Sequence, residues 1–158
     1  MPDGLYDQDA LAWAEHQAAL LRRLAAGERL NEAIDWPNVI EEVAEVGLSE
    51  LRACRSLLRQ ALIHLLKLHA APDSQAAAHW QGELAGFLTE ARDAFSPSMR
   101  QRIDLAELYA DALYRTGATP GSAPNPPPRT CPFTLDDLVA VRPDMTRLAA
   151  RLADPAPP

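Results

Sequence analysis

The run ALIHLLKLHA, residues 61–70, sets His64, Lys67 and His69 into the most leucine-rich part of the chain. A histidine in such a place can exchange a proton near neutrality, ligate a metal or donate to a carboxylate. Upstream, NVIEEVAEVG (38–47) carries Glu41, Glu42 and Glu45. Carboxylates at three- and four-residue steps on paired helices are what di-metal bundles use, but those bundles also need Glu-x-x-His spacing. The chain has no Glu-x-x-His. The expectation for the glutamates is therefore an acidic face, bathed in solvent or paired to arginines. His69 and His79 flank a connection between helices and, with Glu83 as a third ligand, are the weak metal candidates. His69 follows His64 by five positions, not the four that stack two ligands on one helical face. No metal or other cofactor is expected.

Other chemistries find less. Seven glycines are scattered without a G-x-G pattern, and no G-x-S-x-G elbow is present. Cys54 falls in the apolar arc of its helix, where a thiol packs rather than reacts, and Cys131 sits between Thr130 and Pro132, exposed or pinned beside Phe133. The two cysteines form no CxxC, so neither a disulfide framework nor a zinc pair is indicated, and a reducing compartment fits. Arg52, Arg55 and Arg59 recur along one helix as a phosphate-binding stripe does. A formal charge of −7, acidic neighbours and the lack of stacking aromatics in the stripe argue against nucleic acid. No catalytic residue is assigned, and the reading leans away from an enzyme.

These side chains need elements to hold them. An alanine- and leucine-rich composition with few aromatics (6%) favours helix, and 158 residues suffice for one core. Leu11, Ala14, Ala18, Leu21 and Ala25 predict a first helix over about 7–26, capped by Asp7 or Asp9 and stopped by Gly27. Asp35 ahead of Trp36 and Pro37 opens a second. Its apolar face runs through Trp36, Val39, Ile40, Val43 and Val46, then Leu51, Cys54, Leu57, Leu58, Ala61, Leu62 and Leu65. Gly47 alone interrupts it, at a cost of only about 1 kcal/mol, so one long helix over 36–70, bent or loosened near Gly47, is expected. At about 100° per residue, His64 falls on the border of the apolar arc and Lys67 further out.

A third helix is expected over 73–95, capped by Asp73 or Ser74, and a fourth over 98–116, with Ser96 as its cap and Pro97 in its first turn. Residues 118–132 hold six prolines and form a Pro-rich connector. Thr134 with Asp137 resembles a capping box for a short helix over 134–141, Asp144 caps another over 144–153, and 154–158 is a frayed tail. The fold class is all-α: a single domain (1–153), a four-helix bundle-like core around the long second helix, with the Pro-rich arm returning Phe133 and Leu135 against it. The first ten residues lack a basic start and an apolar stretch, and no run of about 18 apolar residues occurs. A cytoplasmic protein that neither spans nor binds a membrane is expected.

Several pieces together carry a resemblance that covers nearly all of the chain up to about Val141. They are YDQDALAW (Tyr6 to Trp13), DWPNVIEEVAEVG (Asp35 to Gly47), LIHLLK (Leu62 to Lys67), Trp80, SPS (Ser96 to Ser98), Thr116-Gly117 and CPFTLDDL (Cys131 to Leu138). In their order and spacing the chain resembles the domain of unknown function 29 family, bacterial and cyanobacterial all-helical proteins with no assigned activity. The resemblance implies a helical fold and singles out Asn38, Glu41, Glu42, His64, Lys67, Trp80 and Cys131-Pro132. It departs from the family at Ala10, Leu68 and His79, and the connector is longer than usual. Those departures bear on any shared ligand pocket lined by the missing aromatics and leave the bundle intact.

The candidate polar cluster is thus Glu41, Glu42, His64, Lys67 and Trp80, with His64 and Lys67 facing the third helix near Trp80. The leading functional expectation is a non-enzymatic helical interaction module with a protein partner, self-association or a regulatory role included. The alternative is a metal- or small-ligand-binding bundle using His64 with Glu42, or His69 with His79.

Overall fold

The computed structural model describes residues 4–118 and 124–154. The tail beyond 154 and the middle of the Pro-rich connector lie outside the described residues. The chain is all-α and divides into two compact units, Met1–Leu48 and Ser49–Pro158.

In the N-terminal unit a single turn, α1 (Leu5–Gln8), precedes α2 (Ala10–Ala25). The split occurs at Asp9, whose side chain accepts from Ala12 N at 3.0 Å and so caps α2. Gly27, at φ +93°, stops that helix in a conformation that favours glycine. The buried face of α2 is Trp13, Gln17 and Leu20, not the expected face that begins at Leu11, which is 71% exposed. The reason lies in Asp35: its Oδ2 accepts from Trp13 Nε1 at 3.0 Å, and its backbone N–H donates to Gln17 Oε1 at 3.0 Å. Those bonds set the rotation of α2. A short 3-10 turn, Asn31–Ala33, leads to α3 (Trp36–Ala70), which runs unbroken through Gly47. Asp35 also takes the Asn38 side-chain amide at 2.8 Å, and that bond, followed by the Trp13 indole and the Asn38 backbone, holds its carboxyl below the usual range against the opposing effect of desolvation.

The expected core face of α3 is interrupted in this unit. Ile40, Val43 and Val46 are 64%, 72% and 66% exposed, and Trp36 is half-buried. Amphipathic periodicity marks a face that can be covered and says nothing of whether a neighbour covers it.

In the C-terminal unit α3 packs against α4 (Ala77–Ala94), α5 (Leu105–Thr116) and α7 (Met145–Ala153) in a bundle-like core. Cys54, Leu58, Ala61 and Leu62 are fully enclosed, and Leu84, Leu88, Leu108, Tyr109, Leu148 and Leu152 meet them. Each buried leucine contributes roughly 1.5–3 kcal/mol. The arm after the connector returns Phe133 and Leu135 to this core and forms α6 (Leu135–Leu138) behind a complete Thr134–Asp137 capping box. Asp144 caps α7 by accepting from Arg147 N at 3.0 Å.

Further boundaries differ from expectation: α6 stops at Leu138, where Val139 N bonds the Leu135 carbonyl, rather than running to 141. Residues 72–76 form turns, closed by Ala77 N donating to Ser74 O, so α4 begins at Ala77 rather than near Asp73. Ser96 and Pro97 open a 3-10 helix, Pro97–Gln101, which buries Met99, and the α-helix begins only at Leu105. Its cap is Asp104, accepting from Ala106 N and Glu107 N at 2.9 and 3.2 Å. Gly117, at φ +66°, ends it.

Replacing Asp104 with alanine should therefore destabilise the protein by about 1 kcal/mol in urea unfolding, whereas Ser96→Ala, at a residue making no cap bond, should cost less than about 0.5 kcal/mol. Equal losses would show that the helix starts at Pro97.

Candidate functional site

His64 is buried, not at the border of the arc as its helical position suggests: it is 5% exposed. Gln60, one turn back on α3, offers its carbonyl 2.8 Å from His64 Nδ1. Across the helix pair, Glu83 of α4 brings Oε2 to 2.7 Å from Nε2. A carbonyl only accepts, so Nδ1 donates to Gln60 and Nε2 is the nitrogen that meets the Glu83 carboxyl. Phe87, one turn beyond Glu83, lies 5.1 Å from the imidazole centroid, tilted by 58°. The ring is thus held on three sides.

Glu83 reaches two histidines. Its Oε1 lies 3.3 Å from Nε2 of His79, one turn earlier on α4. His64 is sealed while His79 is largely exposed, so the carboxylate links an inner to an outer imidazole. The hydrogen bond from His64 holds the Glu83 carboxyl below the usual carboxylate range, with His79, His64 and Lys67 adding charge attraction and desolvation opposing. Lys67 extends over Trp80, its Nζ 5.8 Å from the indole ring. His64, Lys67 and Trp80 of the expected cluster thus meet around Glu83.

Glu41 and Glu42 belong to the N-terminal unit. Glu42 accepts the Tyr6 hydroxyl at 2.6 Å, and that bond, with Glu42's charge, pushes the Tyr6 pKa up to about 12. The pairings His64 with Glu42 and His69 with His79 are replaced by others: His64 and His79 share Glu83, and His69 Nε2 donates to the Asn125 carbonyl at 3.0 Å. Among the described residues no group of three or more His, Cys, Asp or Glu is placed to hold a metal ion.

Arg55 and Arg59 of the α3 stripe pair with α5. Arg55 contacts both oxygens of Glu107 at 3.0–3.1 Å, and Arg59 shares Asp111 with Arg115. Cys54 is sealed in the core with its Sγ donating to the Ala91 carbonyl, and burial pushes its thiol up. Burial does the same to Cys131, whose Sγ donates to the Phe133 carbonyl.

Glu83 was legible as a candidate ligand, and its i,i+4 relation to His79 could be read directly. Its bond to His64 depends on the register of α3 against α4, which no local spacing encodes. Gln60 could have been found: a buried helical histidine has the carbonyl four residues back within reach.

The fold and this site define a small all-α bundle protein organised around one long helix. The model described as "domain of unknown function DUF29" matches residues 5–142, and the chain belongs to that family. Among solved structures it is similar to an alpha-helical protein of unknown function from Rhodospirillum rubrum, at 26% identity and a TM-score of 0.69, over 94% of this chain and 97% of that one. No curated protein matches the chain. Among the described residues no helix is long and apolar enough to cross a membrane.

The depressed Glu83 carboxyl has a pH consequence of definite sign. Its stabilisation is complete above the unfolded value near 4.5 and disappears as the pH falls through the lower folded value. Glu83→Gln should lower the melting temperature by about 2–4 °C at neutral pH. That deficit should shrink toward zero on acidification, followed by circular dichroism. A deficit independent of pH would remove the ion pair from the account.

Proposed function

We propose that this chain is a protein-interaction module and that its docking surface is the open stripe of α3 in the N-terminal unit. The observation that carries the reading is the exposure of Ile40, Val43 and Val46, each above 60%, at three-residue steps on one helical face. Large apolar side chains exposed together mark interaction surfaces, whereas scattered ones do not. Gly47 continues the stripe, and a Cβ built there would touch nothing within 4 Å, so a partner can approach the backbone closely.

Charge selects the partner. Glu41, Glu42 and Glu45 rim the stripe, and segment 36–50 carries no lysine or arginine. A second copy would set this acidic rim against itself. A basic amphipathic helix matches both the apolar centre and the rim, laid down as a helix on a helix face. Two free thiols support a reducing compartment for this role. The rival, a metal- or small-ligand bundle built on His64 with Glu42 or His69 with His79, has less support, because those histidines already have other partners.

A fluorescent peptide of about 18 residues, leucine at i, i+3, i+4 and i+7 with lysine elsewhere, serves as the probe in anisotropy titrations. Val43→Asp separates the contributions: it adds a negative charge, which strengthens purely ionic attraction, yet it spoils an apolar contact. Binding should weaken at least about tenfold, roughly 1.4 kcal/mol, and the same peptide with glutamate for lysine should not bind. Unchanged or tighter binding by Val43→Asp, or a stable dimer of the protein by light scattering, would refute the reading.

A further inference from the structure

Between α3, α4 and α7 the C-terminal unit leaves a cleft of about 580 Å³. Leu65 and Leu68 of α3, Leu84 of α4, and Met145 and Ala149 of α7 form its walls. The volume lies within the roughly 300–1,000 Å³ typical of small-molecule sites. It is separate from the His64–Glu83 pair and from the open stripe of α3, and the role proposed above uses neither it nor its lining.

The mouth of the cleft sets the ligand's chemistry. Its polar groups are His69, Gln81 and Asn125, and no Asp, Glu, Lys or Arg lines it among the described residues. His69 gives its Nε2 proton to the Asn125 carbonyl, which in the neutral ring leaves Nδ1 as an acceptor. Gln81 offers an amide donor and acceptor. An ionised ligand would lose its hydration here and meet no countercharge, whereas a neutral head can be hydrogen-bonded. An aliphatic body would make van der Waals contacts with the leucine-lined walls along its length.

We propose that this cleft binds a neutral amphiphile, an aliphatic chain ending in a hydroxyl, ester or amide head that meets His69 and Gln81 at the mouth. The walls and the head act together: the chain fills the space between Leu65, Leu84 and Met145, and the head stays where water and the amides meet.

The full-length protein is titrated with N-phenyl-1-naphthylamine, a neutral apolar fluorophore, and the bound dye is then competed with 1-decanol or with ionised decanoate. Saturable fluorescence should appear, with decanol displacing the dye at least about tenfold more effectively than decanoate. Ala149→Leu fills the cleft from an exposed helical position that leucine suits, and Ala85→Leu does so from α4. Each should cut dye affinity at least about tenfold with an unchanged melting temperature, while Ala150→Leu, next along α7 but not lining the cleft, should bind as the wild type does. Absence of saturable uptake, equal competition by decanoate, or equal behaviour of Ala149→Leu and Ala150→Leu would overturn the proposal. So would a wild-type dimer dispersed by Ala149→Leu, which would make the occupant a second copy.

Discussion

Over residues 61–66 α3 is enclosed on all sides, and the chemistry of this protein follows from that enclosure. Cys54, Leu58, Ala61, Leu62, Leu65 and Leu66 are each 3% exposed or less. A helix so surrounded can carry a polar side chain only where its neighbours supply hydrogen bonds, because an unpaired buried group costs several times what a satisfied one gains. His64 meets that condition through Gln60 and Glu83. The pair fastens α3 to α4, and Lys67 over Trp80 repeats the fastening further out. The same enclosure silences Cys54 as a nucleophile.

The other half of α3 has the same amphipathic pattern and the opposite fate. Ile40, Val43 and Val46 recur at helical three-residue steps, as Cys54, Leu58 and Ala61 do at steps of four and three, yet they face solvent beside a row of glutamates. The N-terminal unit spends its own packing elsewhere. Trp13, Gln17 and Asp35 knit α2 to the start of α3, and Tyr6 stacks edge-on against Trp13 at 4.8 Å while bonding Glu42. One helix therefore serves as a core strut at one end and as an open face at the other, and membership of the DUF29 family adds no assigned role to either.

Much of the framework could be read in advance because caps act locally. Asp9, the Thr134–Asp137 box, Asp144 and Gly117 sit where their residue types predict. Ser96-Pro97 offered an equally good start and became a 3-10 helix that buries Met99, while Asp104 caps the true helix. Of the candidate site, the residue types were legible and the pairings less so. The expectation puts His64 against the third helix or against Glu42 of a partner chain, and its carboxylate is Glu83 of α4. Both answers satisfy the same side-chain chemistry, and only the packing of α4 on α3 chooses between them.

The sequence by itself determined the helical class, the extent of α3, most helix ends, the acidic balance and the apolar stripes, since each depends on residues within a turn or two of one another, while the unbroken course of α3 through Gly47 is read from the structure. Tertiary structure decided which half of the long stripe is covered, that His64 is buried against Glu83, that Arg55 and Arg59 are matched by α5, and that a leucine-lined cleft opens beside α7. Those outcomes rest on contacts between residues far apart in the chain, where a rotation of one helix exchanges a buried face for an open one without changing a single local preference.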